Sequence, residues 1–344
     1  MDRTTEHGKS PRLSVVLPFY NEEPNVRPVM DELFDVLDRL RKERSLTYEI
    51  ICVDDGSTDK TLDRLLAYVA RRPEVQVIHF GINYGQTAAI SAGFHHARGD
   101  YVVTMDGDGQ NDPNDIPALI DHLEAQRLDV VSGWRRDRKD PWLTRRFPSM
   151  MANRLISWIT GVHLRDYGCT LKVYRKTILD DLHLYGEMHR FIPALTRWLG
   201  ARVGEIPVNH RARRYGSSKY GLSRIVRVLL DLLVVKFLMH YSTRPIQFFG
   251  KVGVGIGFLG VVALVFVVIF KITGRLTMNR NPLLYVGLTL EMIACQIILM
   301  GLLGEMLARI YHETQAKPIY RVKRIYTHDT KTSDPGVRVV AVDS

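Results

Sequence analysis

The run Asp106-Gly107-Asp108-Gly109-Gln110 brings together two carboxylates and an amide, separated only by glycines. These are hard oxygen ligands of the kind that hold Mg²⁺ or Mn²⁺, usually beside a phosphate. An isolated pair of alternating acids is often only a solvated acidic turn. Here the pair directly follows the apolar segment Tyr101-Val102-Val103-Thr104-Met105. An apolar, β-branched run that ends abruptly in acids reads as a buried strand delivering carboxylates to its C-terminal edge, where open α/β sheets bind ligands. A second such run, Tyr48 to Val53, ends in Asp54-Asp55-Gly56-Ser57. The repetition argues for one site built on a shared sheet edge.

The surrounding elements must position these acids. Leu13-Ser14-Val15-Val16-Leu17 predicts a first strand, closed by Pro18. Val26, Met30, Leu33, Leu37 and Leu40 then recur at helical spacing, with Asn25 as candidate N-cap. Thr61, Leu62, Leu65, Leu66 and Val69 predict the next helix. Val75 to Phe80 and Asp129 to Ser132 read as further strands, and Thr87–Ala97 and Ile116–Gln126 as helices. This alternation predicts an α/β, doubly wound and mostly parallel sheet over about the first 135 residues.

Beyond that point the chain becomes basic. Arg135, Arg136, Arg138, Lys139, Arg145 and Arg146 crowd a loop with Pro141 and Trp142, and Arg211, Arg213, Arg214 and Lys219 surround Tyr215-Gly216-Ser217-Ser218. Over all 344 residues the formal charge is +10, which implies an anionic partner: nucleic acid, membrane surface or phosphorylated substrate. Nucleic acid is not expected, because the basic residues lie between the acidic site and an apolar C-terminal region. There, Phe248–Ile272 and Pro282–Leu307 each supply the roughly 20 apolar residues that cross a hydrocarbon core. Leu222 to His240 reads as an amphipathic helix on the membrane surface. Arg244 and Lys251 before the hairpin, with Arg309, Lys317, Arg321, Lys323 and Arg324 after it, outnumber Lys271, Arg275 and Arg280 between the spans. The positive-inside rule therefore predicts a multi-pass protein of the cytoplasmic (inner) membrane with both termini cytoplasmic. The first dozen residues have no apolar core, so no secretory signal is expected, and the three dispersed cysteines read as reduced thiols. Glu291, costly in a bilayer, is expected to pair with Lys271 or Arg275. Gly253-x-x-x-Gly257 would allow close helix approach.

Several motifs together resemble the family-2, inverting nucleotide-sugar glycosyltransferases of GT-A fold, and among them the polyprenyl-phosphate glycosyltransferases. They are Val16-Leu17-Pro18-Phe19-Tyr20-Asn21-Glu22, Val53-Asp54-Asp55-Gly56-Ser57, the Asp106–Gln110 run and Tyr215-Gly216-Ser217-Ser218-Lys219. Asn83-Tyr84-Gly85-Gln86, Asp166-Tyr167-Gly168-Cys169 and Met300-Gly301-Leu302-Leu303-Gly304-Glu305 are similar to the bacterial undecaprenyl-phosphate sugar transferases. Four parts are expected: a GT-A domain over 1–221, a juxtamembrane helix over 222–245, a hairpin over 246–309, and a partly disordered cytoplasmic tail over 310–344, polar and expected to be disordered after Tyr326. The resemblance also implies a homo-oligomer, with a tetramer expected.

By the same resemblance, Pro18, Tyr20, Glu22, Val53, Asp55 and Asp106 would hold the nucleotide, and Asp106, Asp108 and Gln110 a Mg²⁺ or Mn²⁺ ion on its diphosphate. Asp55 could instead cap the following helix. Arg135, Arg213, Lys219 and Lys172 match positions that contact the acceptor phosphate. Asp166 could serve as general base or orient an arginine or sugar hydroxyls, and Cys169 is expected to be packing. Gly107, where many relatives carry alanine, is expected to matter little. Two rival readings are a processive polysaccharide synthase and a non-catalytic lipid-binding scaffold. The first lacks its Gln-x-x-Arg-Trp motif here, since Ala194 precedes Arg197-Trp198; the second would not need both Asp106 and Asp108.

Overall fold

A computed structural model describes residues 12–136, 150, 153–154, 156–157, 160–180, 182, 184, 188–211, 245–273, 281–314, 320–329 and 336–340. The basic loop 137–149, the segment 212–244 with Arg213, Lys219 and the expected amphipathic helix, and Arg275 and Arg280 lie outside the described residues. The chain falls into two compact units, Met1–Leu232 with Pro318–Ser344, and Leu233–Lys317.

The first unit is built on a nine-stranded mixed sheet. In chain order its strands are β1 (Leu13–Phe19), β2 (Tyr48–Asp54), β3 (Val75–Phe80), β4 (Tyr101–Thr104), β5 (Val130–Arg135), β6 (Lys172–Arg175), β7 (Val203–Val208), β8 (Val322–Asp329) and β9 (Gly336–Val340). Their spatial order is β7-β5-β6-β4-β1-β2-β3-β8-β9. β4, β1, β2 and β3 are mutually parallel, whereas β6 runs antiparallel between β4 and β5. The C-terminal ends of β1 to β5 and the N-terminal end of β6 therefore share one edge.

Helices α1 (Glu23–Arg44), α2 (Thr61–Val69), α3 (Gln86–His96) and α4 (Ile116–Ala125) cover the sheet; α5 (Lys176–Leu179) and α6 (Ile192–Trp198) follow β6. Strand alternation explains the layering. Leu13, Val15 and Leu17 join Val26, Met30, Leu33 and Leu37 of α1 in one fully buried cluster. Val16 points the other way, onto Gly93 of α3, where a Cβ would lie 2.1 Å from its Cγ1.

Two local expectations are corrected. Asn25 does not cap α1: it lies buried in the first turn and donates through Nδ2 to Glu22 Oε2 at 2.5 Å. The capping acceptor is Asp59, from the loop before α2, which takes the Glu23 N–H at 3.2 Å. The tail after Tyr326 is not disordered throughout, because β8 pairs antiparallel with β3 and β9 with β8. The charge pattern of β8 hides this, since Lys323 and Arg324 stay in water while Ile325 and Tyr326 are buried.

The second unit contains α7 (Pro245–Ile272) and α8 (Pro282–Thr314). Their segments Gln247–Ile272 and Pro282–Gly304 are long and apolar enough to cross a membrane. Phe258, Leu259, Met292 and Leu303 stand exposed on the pair, an outer surface suited to hydrocarbon. Small residues bring the backbones together: a Cβ on Gly253 would lie 2.6 Å from Ile298 Cγ1, and one on Gly260 3.2 Å from the Gly287 carbonyl. Glu291 points into this seam, against Gly257 and Gly260. Among the described residues no ion pair joins it to Lys271, and its Oε1 has no hydrogen-bond partner.

Candidate active site

The shared edge gathers the acids. After β2, the Asp55 N–H donates to the Phe19 carbonyl at 2.9 Å, joining the ends of β1 and β2. The Asp55 carboxylate accepts the Tyr84 and Gly85 N–H groups at 2.7 and 2.9 Å and Asn83 Nδ2 at 2.8 Å. It therefore fastens the loop after β3 and does not cap α2. Gly56 makes this approach possible: its φ is +69°, and a Cβ would lie 2.4 Å from the Ile82 carbonyl carbon. Behind it, fully buried Asp54 pairs with His79 Nδ1 at 2.7 Å. Pro18 is half-buried opposite Val53 in the β1–β2 register, and Tyr20 is exposed at the rim. Val53 is wholly buried, so its side chain is packing. Half-buried Glu22 accepts from Asn25 and donates its N–H to Thr61 Oγ1 at 2.9 Å.

The same loop reaches the second acidic turn. Gln86, the first residue of α3, donates through Nε2 to Asp106 Oδ1 at 2.6 Å, and Thr170 donates to Oδ2 at 2.8 Å. Asn111 Oδ1 accepts the Asp106 N–H at 3.1 Å. Asp108 is buried, and its Oδ1 accepts the Gln110 N–H at 3.0 Å. Desolvation, then the neighbouring Asp108 charge, raise the Asp106 carboxyl above the usual carboxylate range. A divalent cation relieves such repulsion, and the donor set is hard oxygen, so the residues fit one. No cluster of three or more acidic, histidine or cysteine ligands occurs among the described residues. The other coordination positions would fall to water and phosphate oxygens, as Mg²⁺ sites often arrange.

Gly107 proves to be a tight position. A Cβ there would lie 2.4 Å from the ring of buried Phe19, which fills the space an alanine needs. Gly107→Ala is expected to cost about 1–3 kcal/mol through overpacking and to weaken metal binding. Thermal unfolding and metal titration of the variant check this.

At the end of β5, Arg135 forms a two-pronged pair with Asp166, Nε to Oδ2 at 2.6 Å and Nη2 to Oδ1 at 2.9 Å. Both are largely shielded, with side chains 15% and 5% exposed. Asp166 also accepts the Gly168 N–H at 3.1 Å, and its own N–H donates to Glu205 Oε1 at 3.1 Å. Asp166 thus pairs with an arginine, the contact that an orienting role would use. Lys172, expected at the acceptor phosphate, is buried at the start of β6 and donates to the Cys169 carbonyl. Burial lowers its pKa, opposed by the nearby Cys169, Asp166 and Asp106. It does not face solvent. Cys169 is buried packing. Arg211 is locked to Glu32 at 2.7 and 2.8 Å and to Asp112 at 2.8 Å, and its N–H donates to the Gln110 carbonyl at 2.9 Å. It braces the acidic turn. Gln86, Thr170 and Asn111 received no role from sequence; the Asn83–Gln86 motif was the available signal for the first.

Three comparisons bear on this site. Residues 14–183 match the family model described as Glycosyl transferase family 2. The dodecaprenyl-phosphate galacturonate synthase of Rhizobium johnstonii is 44% identical over 326 residues, covering 94% of this chain and 95% of that protein. The undecaprenyl-phosphate 4-deoxy-4-formamido-L-arabinose transferase of Edwardsiella ictaluri is 36% identical over 316 residues, covering 91% and 94%. Among solved structures, glucosyl-3-phosphoglycerate synthase from Mycobacterium tuberculosis, in complex with Mn²⁺, UDP and phosphoglyceric acid, matches with TM-score 0.52 at 21% identity. That match covers 66% of this chain and 78% of that one, a likeness of fold.

Proposed function

Since the chain belongs to glycosyl transferase family 2, we propose that it transfers a sugar from a nucleotide donor to the phosphate of a polyprenyl lipid, with inversion at the sugar carbon. The observation that carries this reading is the likeness to two polyprenyl-phosphate sugar transferases over more than nine-tenths of the chain, apolar hairpin included. UDP is the favoured carrier, and the galacturonate synthase's greater identity makes UDP-galacturonate the first donor to test.

The chain's own groups suit each requirement. Pro18, Tyr20, Glu22 and Asp55 surround the nucleoside end. Asp106 and Asp108 would hold Mg²⁺ or Mn²⁺, with Gln110 closing the turn; the ion, when bound, neutralises charge on the departing diphosphate. A phosphate oxygen of the acceptor attacks the sugar carbon from the face opposite that diphosphate, forming one C–O bond as the other breaks. With a second pKa of about 6, the acceptor phosphate is already mostly dianionic near neutrality and needs alignment more than a strong base. Asp166 therefore serves by holding the Arg135 guanidinium toward the anions, with Arg213 and Lys219 assigned to the acceptor phosphate. The hairpin anchors the enzyme in the inner membrane, with the catalytic unit and both termini cytoplasmic, and the assembly is a homo-oligomer, by resemblance a tetramer.

Asp55 gives this reading a pH signature. Burial pushes its carboxyl up to about 6, against the Tyr84 and Gly85 N–H groups that lower it and with the Asp54 charge that raises it further. A folded-state value above the unfolded one means Asp55 contributes most to stability below the unfolded pKa, and that contribution is lost as pH rises through about 6. The ionised form that holds the loop dominates only above that value. Nucleotide affinity is expected to fall as pH drops through about 6, with no matching loss of stability from this residue; UDP titration and thermal unfolding on one pH series check both.

The reaction is tested by radiolabel transfer from a panel of UDP- and GDP-sugars into organic-extractable polyprenyl phosphate, with Mn²⁺ or with EDTA. Metal-dependent label in the lipid phase supports the proposal. Label only in an insoluble polymer favours a processive synthase, and no label with any donor favours a lipid-binding scaffold.

A further inference from the structure

We propose that Tyr320 is a positioning residue for the nucleotide end of the site, acting through Phe80 and Tyr84 on the loop that Asp55 fastens; this rests on the donor-site reading above. Tyr320 stacks on Phe80 with ring centroids 5.3 Å apart and planes 21° apart. Phe80, the last residue of β3, is fully buried, and it meets the Tyr84 ring edge-on at 5.5 Å. The Tyr84 N–H in turn donates to Asp55 Oδ1 at 2.7 Å. One contact chain thus runs from the segment after the hairpin to the nucleotide carboxylate.

The register of β8 is adjusted to make this stack. β3 and β8 pair regularly from Gln76↔Thr327 to His79↔Arg324, then shift, so that Phe80 lies opposite Val322. Such irregularities re-aim side chains beside functional sites. Between Phe80 and Tyr84 the loop packs its Ile82–Asn83 backbone against Gly56 and ties Asn83 Nδ2 to Asp55 Oδ2 at 2.8 Å, while the Ile82 side chain is 61% exposed. The loop backbone is thus fixed at Asp55 and Gly56, and the Tyr84 ring rests on Phe80. Backbone pairing alone would hold β8 against β3, whereas the aromatic stack restrains the loop as well. Tyr320 follows the last residue of α8, Thr314, by only a few positions, so the donor site is completed by chain that has already passed through the apolar hairpin.

The test uses the full-length enzyme in detergent, with UDP alone as probe in calorimetry and the labelled donor in kinetics. Tyr320→Ala is expected to raise the UDP dissociation constant and the donor KM about three- to tenfold, the equilibrium equivalent of one aromatic pair, with kcat within about twofold. Tyr320→Phe keeps the stack and should restore wild-type values. His328→Ala serves as the stability control, because His328 ties the far part of β8 to the Val69 carbonyl at 2.9 Å, away from Phe80. It should lower the melting temperature without moving KM. If Tyr320→Ala leaves KM and UDP affinity unchanged, or if His328→Ala shifts them equally, the proposal is overturned. Failure of the wild-type enzyme to bind either UDP or GDP would overturn the donor-site reading itself.

Discussion

Asp108→Asn is expected to reduce sugar transfer about a thousandfold while leaving the protein folded. Asn keeps a side-chain oxygen for the Gln110 N–H that Asp108 Oδ1 accepts at 3.0 Å, so the turn retains its shape. What is lost is half of the paired negative charge that would hold the cation. A metal ion acting as Lewis acid supplies several kcal/mol to the transition state, and at about 1.4 kcal/mol per tenfold this corresponds to roughly three decades. Raising the Mn²⁺ concentration should recover part of the loss, which a plain folding defect would not. Unchanged turnover at ordinary metal concentration would remove Asp108 from the metal site.

Asp166→Asn should be the most damaging substitution to the fold. It leaves the Arg135 guanidinium, 15% exposed, without its ionised partner. Removing one member of a buried pair costs about 3–5 kcal/mol, because the other charge stays buried and unpaired. The melting temperature should fall by many degrees and transfer should nearly vanish. Replacing both residues, Arg135→Met with Asp166→Leu, removes both buried charges and should return most of the stability but none of the activity.

The acidic strand ends were legible because the pattern is local. An apolar run that stops at a carboxylate marks a strand end, and both Asp55 and Asp106 do stand on the predicted sheet edge. The partners of those acids were not legible, because they come from distant chain. Thr170 lies 64 positions from Asp106, and Gln86 lies 20 away. Gly107 reads as a neutral spacer until β1 brings the Phe19 ring against it. Lys172 looks like a phosphate ligand by type, yet its place at the start of a central antiparallel strand buries it. Strand β8 escaped notice for a related reason: its partner, β3, lies some 250 residues earlier, and its exposed Lys323 and Arg324 are side chains of a polar tail.

The central claim is that one sugar leaves a nucleoside diphosphate for one lipid phosphate. The most direct measurement is therefore a stoichiometry on the full-length enzyme, comparing nucleoside diphosphate released with sugar recovered on polyprenyl phosphate. The account predicts a one-to-one ratio, a β-linked product from an α-linked donor, and loss of both signals together in Asp108→Asn. Nucleoside diphosphate released without lipid-linked sugar, or sugar accumulating as a polymer, would contradict it.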